Sequence, residues 1–340
     1  MQIIYHFFRL VRGLNLVVIA LTMTIIQYFL SKYLVMGTNI YAEVSAQPTV
    51  KSIIAHAFSF EFILLVSLSV LFAAAANIIN DYFDVRADRV NKPDRLIIGV
   101  HLKRRWAMVW HWAFNVIGFG ISLYLGYLLN ALYIPIVAFI TVNLLWFYSA
   151  YFKRQPFTGN LLVAAFTGFV PVAVVLFNLT VTPNFSNPSV FIVLADYQYF
   201  FMVVLFTGVL AFLMNLIREL VKDVIDVRGD LKLGAKTFPI AYGIKKTRKL
   251  IFLLYVLLYI AGGFFVFYIA QILMQVMISI PRINNPINLY YFGGLLGGSL
   301  LFLTIAAFFT FRKHQISSYK KASNFLKAAM VFGLLIPLFL

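Results

Sequence analysis

The stretch NIINDYFDVRAD, residues 77 to 88, directly follows an apolar run of the kind that crosses a membrane. It carries Asn77, Asp81, Asp84 and Asp88 at separations of four, three and four residues. A helix turns about 100° per residue, so these side chains fall within a stripe about 60° wide if the helix continues past its apolar part. The residues between them are mostly apolar, so the polarity is confined to one face.

A second stretch, RELVKDVIDVRGD at residues 218 to 230, repeats this spacing. Its members Glu219, Asp223, Asp226 and Asp230 each lie 142 residues after their counterparts in the first stretch. Seven of the 11 acidic residues of the chain fall in these two acidic stripes. Internal repeats in membrane proteins often place a shared site where the repeats meet. The copy therefore predicts two related halves, each carrying one Asp-rich motif.

The composition identifies an integral membrane protein before any segment is drawn. Of the 340 residues, 62% are hydrophobic and only 11% are charged, whereas soluble domains carry about 25% charged residues. About 20 apolar residues span a bilayer as a helix, and nine runs qualify, which predicts an all-α bundle. These runs cover roughly 13–34, 58–79, 105–128, 131–150, 157–180, 199–221, 248–273, 289–311 and 322–340.

The basic residues predict the orientation of the chain. The N-terminus and the loops after even-numbered spans hold 25 of the 28 Lys and Arg, and cytoplasmic loops carry such an excess. We therefore expect a cell-membrane (inner-membrane) protein with a cytoplasmic N-terminus, both acidic stripes at the cytoplasmic side and the C-terminus outside. The net charge of +17 lies in short loops, not on the basic face of a folded domain, which argues against nucleic acid. With no cysteine, disulfides and thiolate metal sites are excluded.

Two interpretations of the acidic stripes compete. Nearby Arg and Lys side chains pair with one isolated stripe at little energetic gain, but two stripes with identical spacing favour a shared function. Carboxylates at membrane depth are costly and usually functional. Magnesium prefers a few carboxylates together with substrate phosphate oxygens, and the nearby cations then bind phosphate. The residues therefore predict a cytoplasmic pocket for Mg²⁺ and a substrate with a diphosphate head and a hydrocarbon tail.

The segment WFYSAYFKR, residues 146 to 154, ends the fourth predicted span. Aromatic faces such as that of Tyr148 stabilise a cation while water is excluded, and Lys153 offers a charge for phosphate. The alternative interpretation is an interfacial aromatic belt followed by a basic pair that fixes topology.

Both motifs resemble a known family. NDYFDVRAD followed by RVNKPDR is similar to the first signature of the UbiA superfamily of intramembrane prenyltransferases, and KDVIDVRGDLKLGAKTFPIAYG is similar to the second. The resemblance covers nearly the whole chain as one domain, 1–340, with motifs at 77–95 and 218–240. It implies a helical bundle around a central cavity in which the diphosphate leaves and the allylic cation alkylates an acceptor.

The resemblance also implies roles for individual residues. Asp84 and Asp88 would hold one magnesium ion and Asp226 and Asp230 a second, with Tyr148 beside the cation. Second-shell groups often matter as much as ligands; here Asn80, Asp81 and Asp223 would complete or orient the shells. The residues expected to bind substrate are Asn77, Asn80, Lys92, Arg95, Lys153, Arg218 and Glu219.

One detail departs from the family pattern. Many members have a proline after the arginine that corresponds to Arg95, and this chain has Leu96. Because proline fixes its own φ, we expect the loop backbone to differ from the family pattern. The departure weakens the assignment of the loop residues and leaves the magnesium assignment intact.

The acceptor is less well defined by the sequence. The REL-KD form of the second motif and the KPDR form of the first resemble the branch that alkylates geranylgeranylglyceryl phosphate. Lys232, Lys236, Lys245 and Lys246 supply cations for such an acceptor, for topology or for anionic membrane lipid. The alternatives are an aromatic, quinone-precursor acceptor and an ion-coupled transporter. A CDP-alcohol phosphotransferase is disfavoured because its DGxxAR signature is absent.

Overall fold

The structure is a computed structural model that describes residues 2–41, 50–91, 96–181, 188–232, 234–279, 286–312 and 315–340. Regular structure within these ranges is helical, and one isolated β-bridge joins Ile98 to Leu102. Two short 3₁₀ helices cover Phe152–Arg154 and Ile336–Phe339. The α-helices are α1 (Gln2–Leu10), α2 (Gly13–Tyr41), α3 (Val50–Ala57), α4 (Phe60–Asn91), α5 (Arg104–Leu128), α6 (Tyr133–Ala150), α7 (Thr158–Val181), α8 (Pro188–Lys232), α9 (Phe238–Tyr242), α10 (Ile244–Ser279), α11 (Pro286–Arg312) and α12 (Ile316–Leu335).

The described part of the chain contains nine segments that are long and apolar enough to cross a membrane. This confirms the all-α integral membrane fold and the number of spans. The segments are Gly13–Tyr33, Ile53–Arg86, Arg104–Leu128, Tyr133–Ala150, Thr158–Val181, Tyr199–Lys232, Ile244–Ile272, Leu289–Arg312 and Ile316–Phe339. The last segment begins at Ile316, several residues before the predicted start at about 322. Its first turns include Lys320 and Lys321. Lysine is tolerated there because its long stem can lie along apolar surface while its charge reaches water.

Two helices extend well past their apolar parts. Helix α4 continues to Asn91 and α8 continues to Lys232, so both acidic stripes lie on helix, as the spacing predicts. Both stripes also lie near the C-terminal ends of their helices, where the helix dipole is negative and disfavours carboxylates. The stripes therefore need compensation from cations elsewhere in the chain.

The chain divides into two compact units that interleave in sequence. The first comprises Met1–Leu21, Phe58–Leu162 and Asp226–Ala241, and the second comprises Thr22–Ala57, Val163–Ile225 and Tyr242–Leu340. Each unit draws on three separate segments, so neither coincides with one of the two sequence halves that carry the repeated motif.

In the first unit, the junction between α1 and α2 packs against α4. Leu10 and Val11 are buried in a cluster that includes Ala74 and Ile78 of α4 and Ile98 of the loop after the first motif. Helices α4 and α5 approach closely at Gly118, where a Cβ would lie 2.6 Å from the ring of Phe72. This packing fixes the first acidic stripe relative to the N-terminal segment.

The second unit is held together by small residues and by polar contacts within the membrane. Gly168 of α7 and Gly208 of α8 pack so closely that a Cβ on either would lie 2.8 Å from the carbonyl oxygen of the other. Small residues allow such close approach of membrane helices. Next to this crossing, the Asn215 amide donates to the Thr167 hydroxyl at 2.8 Å, which fixes the register of α8 against α7.

Candidate active site

The first acidic stripe lies on the last turns of α4. Asn80 is buried, while Asn77, Asp81, Asp84 and Asp88 are half-buried. None of these carboxylates is fully exposed to solvent, so each lies in an environment that partly desolvates its charge. Burying an unpaired charge is costly, and the neighbouring segments provide partners.

Lys153 provides the first partner. It lies in the 3₁₀ helix that follows α6, and its Nζ donates to Asn80 Oδ1 at 2.9 Å and to Asp84 Oδ2. Burial alone lowers the pKa of the Lys153 ammonium, but the Asp84 carboxylate outweighs this effect and raises the pKa above its usual value. Lys153 is therefore protonated at neutral pH and lies directly on the acidic stripe.

A glycine in the next helix positions Lys153. A Cβ on Gly159, in the first turn of α7, would lie 2.9 Å from the Cα of Lys153 and 2.9 Å from the carbonyl oxygen of Phe152. Any larger residue would therefore displace the backbone that carries the lysine. The position requires glycine for close approach of two backbones.

The junction of α1 and α2 provides the second partner. The Arg12 Nη2 donates to Asp81 Oδ1 at 2.8 Å, and the Asn77 amide donates to the Val11 carbonyl oxygen at 2.9 Å. Burial opposes the Arg12 charge, yet the Asp81 carboxylate prevails and raises the pKa of the guanidinium. Arg12 has a left-handed φ of 54°, which turns the chain so that this residue faces α4.

Tyr148 lies near both cations. Its hydroxyl is close enough to contribute to the pKa of Arg12 and of Lys153. Two residues earlier on α6, the Trp146 ring lies 5.9 Å from the Phe83 ring and 5.3 Å from the His111 ring. An aromatic group that includes Phe83 therefore borders the stripe, and Tyr148 lies separately, near Arg12 and Lys153.

The second stripe ends close to the loop that carries Lys153. Asp226 and Asp230 are half-buried on the last turns of α8, and the Asp230 carbonyl oxygen accepts from Ala235 N at 3.1 Å. The Lys236 N then donates to the Arg154 carbonyl oxygen at 2.9 Å. The loop after the second motif is thus hydrogen-bonded to the residue next to Lys153.

In the second compact unit, the start of the second stripe is already neutralised. Glu219 Oε1 accepts from Arg218 Nη1 at 3.1 Å and from Lys222 Nζ at 2.5 Å. Asp223 is half-buried on the same helix. Arg218 therefore contacts Glu219, and both are predicted to bind substrate. Two other predicted substrate-binding residues, Lys92 and Arg95, lie outside the described residues.

The carboxylates do not form a complete metal cage. Among the residues that the structure describes, no three Asp, Glu or His side chains come together in an arrangement that could hold a metal ion. The donors nevertheless fit magnesium, because they are hard oxygens at the membrane edge, and magnesium typically uses one or two carboxylates with waters and substrate phosphates. The assignment of metal ligands stays a prediction.

These features define the class of protein: an intramembrane protein with two acidic helix ends and a lysine bound to the first of them. The UbiA prenyltransferase family model matches residues 52–332, which include both motifs, α4 to α11 and most of α12. The chain belongs to the UbiA prenyltransferase family, which confirms the resemblance seen in the two motifs.

Two similar curated proteins carry the same name. A digeranylgeranylglyceryl phosphate synthase of Thermococcus gammatolerans is 38% identical over 187 residues, which are 54% of this chain and 56% of that protein. Its namesake in Methanosphaera stadtmanae is 33% identical over 234 residues, or 68% of this chain and 76% of that protein. The chain thus spans little more than half the length of the Thermococcus relative in their alignment.

A solved structure supports the fold. A digeranylgeranylglyceryl phosphate synthase in membranes superposes with a TM-score of 0.57 at 22% sequence identity, over 99% of this chain and 98% of that one. At this identity, the likeness concerns the fold alone.

Sequence reasoning missed two residues of the site. Arg12 was counted only as a charge that orients the chain, and Gly159 was not singled out at all. The arginine lies between α1 and α2 and is followed directly by Gly13, the first residue of α2, which is a weak signal for a tight turn. No local signal links either residue to a stripe that is far away in sequence.

The Arg12–Asp81 contact can be measured with a double-mutant cycle. We expect Arg12→Gln and Asp81→Asn to be less than additive in the free energy of unfolding, with a coupling of about 0.5–1 kcal/mol for a partly exposed pair. Thermal or denaturant unfolding in detergent measures it. Arg9→Gln is the matched control, because Arg9 lies over the Tyr5 ring. Equal coupling of Arg9 and Arg12 to Asp81 would contradict the contact.

Proposed function

We propose that the protein transfers a prenyl group from a polyprenyl diphosphate to an acceptor in the membrane, releases diphosphate and depends on Mg²⁺. The observation that carries this proposal is Lys153 on the first acidic stripe, next to the loop that follows the second stripe, in a chain of the UbiA prenyltransferase family. Two acidic motifs beside a lysine suit a diphosphate that binds with metal ions.

The metal ligands would come from the two helix ends. Asp84 and Asp88 of α4 would hold one magnesium ion, and Asp226 and Asp230 of α8 would hold a second. When bound, magnesium supplies Lewis-acid stabilisation of the charge that develops on the leaving diphosphate. The roles of Asn77, Arg218, Glu219 and Asp223 in binding or orientation stay predictions on the same basis.

The protein's own residues bind, orient and shield the substrate. Lys153 neutralises Asp84 and is placed to bind a diphosphate oxygen, since an ammonium prefers the more highly charged partner. Arg12 holds Asp81, which keeps the stripe from repelling the diphosphate. The ring of Tyr148 supplies a face for the allylic cation, and the apolar helices exclude water from it.

The reaction exchanges one carbon–oxygen bond for another. The allylic carbon–oxygen bond breaks, and its electron pair leaves with the diphosphate. The acceptor hydroxyl then forms the new carbon–oxygen bond and gives its proton to the departing diphosphate. We infer that the acceptor is a glycerol-phosphate lipid such as geranylgeranylglyceryl phosphate, because the similar curated proteins in Thermococcus and Methanosphaera are synthases of digeranylgeranylglyceryl phosphate.

The proposed orientation follows from charge. The basic residues predict that the N-terminus and both acidic helix ends face the cytoplasm, with the C-terminus outside the cell membrane. Diphosphate is released on the side from which it bound. Cysteine-scanning with an impermeant thiol reagent is a direct measurement of this orientation, because the chain has no cysteine of its own.

Removal of a proposed metal ligand should abolish transfer without unfolding the protein. We expect Asp84→Asn and Asp226→Asn each to lower turnover by more than the roughly 10–100-fold that loss of a second-shell partner costs. Purified protein in detergent, supplied with radiolabelled prenyl diphosphate, measures turnover.

Glu61→Gln is the matched control for Asp84→Asn, since Glu61 lies at the opposite end of α4. EDTA should inactivate the normal chain reversibly, with Mg²⁺ restoring turnover. Full activity in either aspartate variant would overturn the ligand assignment, and activity that persists in chelator would overturn the metal dependence.

Lys153 should contribute to substrate binding more than to folding. We expect Lys153→Ala to raise the KM for prenyl diphosphate about tenfold or more, because a hydrogen bond to a charged group contributes about 1.5–3 kcal/mol. Steady-state kinetics and the melting temperature are measured together. Arg154→Ala is the matched control, because Arg154 is exposed beside it. Unchanged kinetics for Lys153→Ala would favour a purely topological role for the basic pair.

A panel of acceptors tests the inferred substrate. Purified protein receives labelled geranylgeranyl diphosphate with either geranylgeranylglyceryl phosphate or an aromatic quinone precursor. We expect product only with the glycerol-phosphate lipid, since the similar curated proteins make its digeranylgeranyl product. Product with the aromatic acceptor alone would replace the inferred acceptor and retain prenyl transfer. Ion uptake into proteoliposomes without any transfer would favour the transporter.

A further inference from the structure

The second half of the chain has an unusual distribution of charge. No Asp or Glu follows Asp230, whereas twelve Lys and Arg do. These cations therefore have no acidic partner within their own stretch. Their counter-charge comes from acids earlier in the chain or from the surroundings, and at a membrane surface anionic lipid is one such source.

Three of these cations share one face of α10. Lys245, Arg248 and Lys249 lie in its first two turns, and Phe252 follows one turn later. At about 100° per residue, these four positions fall within an arc of about 100°. With Phe311 of α11 they line a depression of about 420 Å³, which we call the α10–α11 pocket. The pocket lies entirely within the second compact unit.

Arg248 fixes the geometry of this pocket. Its Nη2 donates at 2.8 Å to the Phe311 carbonyl oxygen, one of the last four carbonyls of α11, which lack partners within the helix. Its guanidinium also lies 5.8 Å from the centre of the Phe311 ring. The end of α11 is thereby held against the start of α10, and the pocket between them has a fixed polar wall.

The two lysines beside Arg248 are available for a ligand. Both Lys245 and Lys249 are exposed, and among the described residues neither takes part in an ion pair. They lie one turn apart, so their ammonium groups can flank a single phosphate. A lysine ammonium binds phosphate as a compact point charge.

An apolar surface continues directly from the cations. Phe252 is 60% exposed, and Val256 and Ile260 on the same face of α10 are also exposed. Phe252 lies about 10 Å further along the helix than Lys245, which is the direction from head group to hydrocarbon. A free phosphate would use only the first part of this surface, whereas a lipid would use both parts.

We propose that the α10–α11 pocket binds the phosphate head group of an anionic membrane lipid, with Lys245 and Lys249 on the phosphate and a lipid chain along Phe252. A signal that only fixes topology needs positive charge in a loop. It does not need cations on one helix face, a capped helix end behind them and an exposed aromatic ring one turn below.

Native mass spectrometry of the full chain in detergent tests this proposal. The protein is titrated with phosphatidylglycerol, with phosphatidylcholine of the same chains and with inorganic phosphate. We expect one phosphatidylglycerol molecule to bind more tightly than either alternative. The doubly substituted Lys245→Gln, Lys249→Gln protein should bind it about thirtyfold more weakly, given the usual contribution of a lysine near an anionic surface.

Two controls separate the site from general charge and from general apolar contact. Lys320→Gln with Lys321→Gln removes the same charge from α12 and should change the affinity less than twofold. Phe252→Ala should weaken phosphatidylglycerol binding, while Phe264→Ala, an equally exposed residue of the same helix, should not.

Equal losses in the two lysine pairs would overturn the proposal and identify a diffuse surface effect. Equal binding of phosphatidylcholine would overturn it as well, and so would inorganic phosphate that binds as tightly as phosphatidylglycerol. Melting temperatures of all variants, measured without lipid, show whether a loss of lipid binding comes from unfolding. If the Lys245→Gln, Lys249→Gln protein unfolds, the proposal is judged by whether Phe252→Ala weakens phosphatidylglycerol binding more than Phe264→Ala does. None of these readouts depends on prenyl transfer.

Discussion

The structure depends on one electrostatic constraint: carboxylates lie near the C-terminal ends of two membrane helices. The dipole of α4 and of α8 disfavours negative charge there, and partial burial removes the solvation that would offset it. The first stripe is therefore stabilised by cations from distant segments, Arg12 on Asp81 and Lys153 on Asp84. The carboxylates of this stripe therefore keep their charge only because Arg12 and Lys153 lie against them.

The need for cations at the first acidic stripe explains the local backbone conformation at Arg12 and at Lys153. Arg12 adopts a left-handed conformation at the turn between α1 and α2, and Lys153 lies on a short 3₁₀ helix whose backbone fits only against Gly159. Left-handed conformations of residues other than glycine are rarely populated and often lie at functional sites. In both places the chain has an unfavourable or restricted backbone, and in both the result is a cation on the acidic stripe.

The sequence predicts the periodic part of this arrangement well. Nine apolar runs correspond to the nine membrane-crossing segments of the described ranges, and the four-three-four spacing correctly indicates that α4 and α8 stay helical through both stripes. These successes rest on local periods and on one internal repeat, and a single chain displays both directly. The long-range contacts of Arg12 and Gly159 have no such local signature, and the interleaving of the two compact units follows from packing alone.

Charge is also divided between the two parts of the chain in a way that bears on both proposals. Every acidic residue lies at or before Asp230, so the cations of the first part, such as Arg12 and Lys153, can be neutralised within the protein. The cations after Asp230 cannot find acids in their own segment, and Arg248 instead caps the end of α11. Positive charge that a protein does not neutralise internally is neutralised by its surroundings, and for helices in a bilayer those surroundings are lipid head groups. The first part of the chain thus holds every acidic residue, while Lys245 and Lys249 in the second part are exposed and form no ion pair among the described residues.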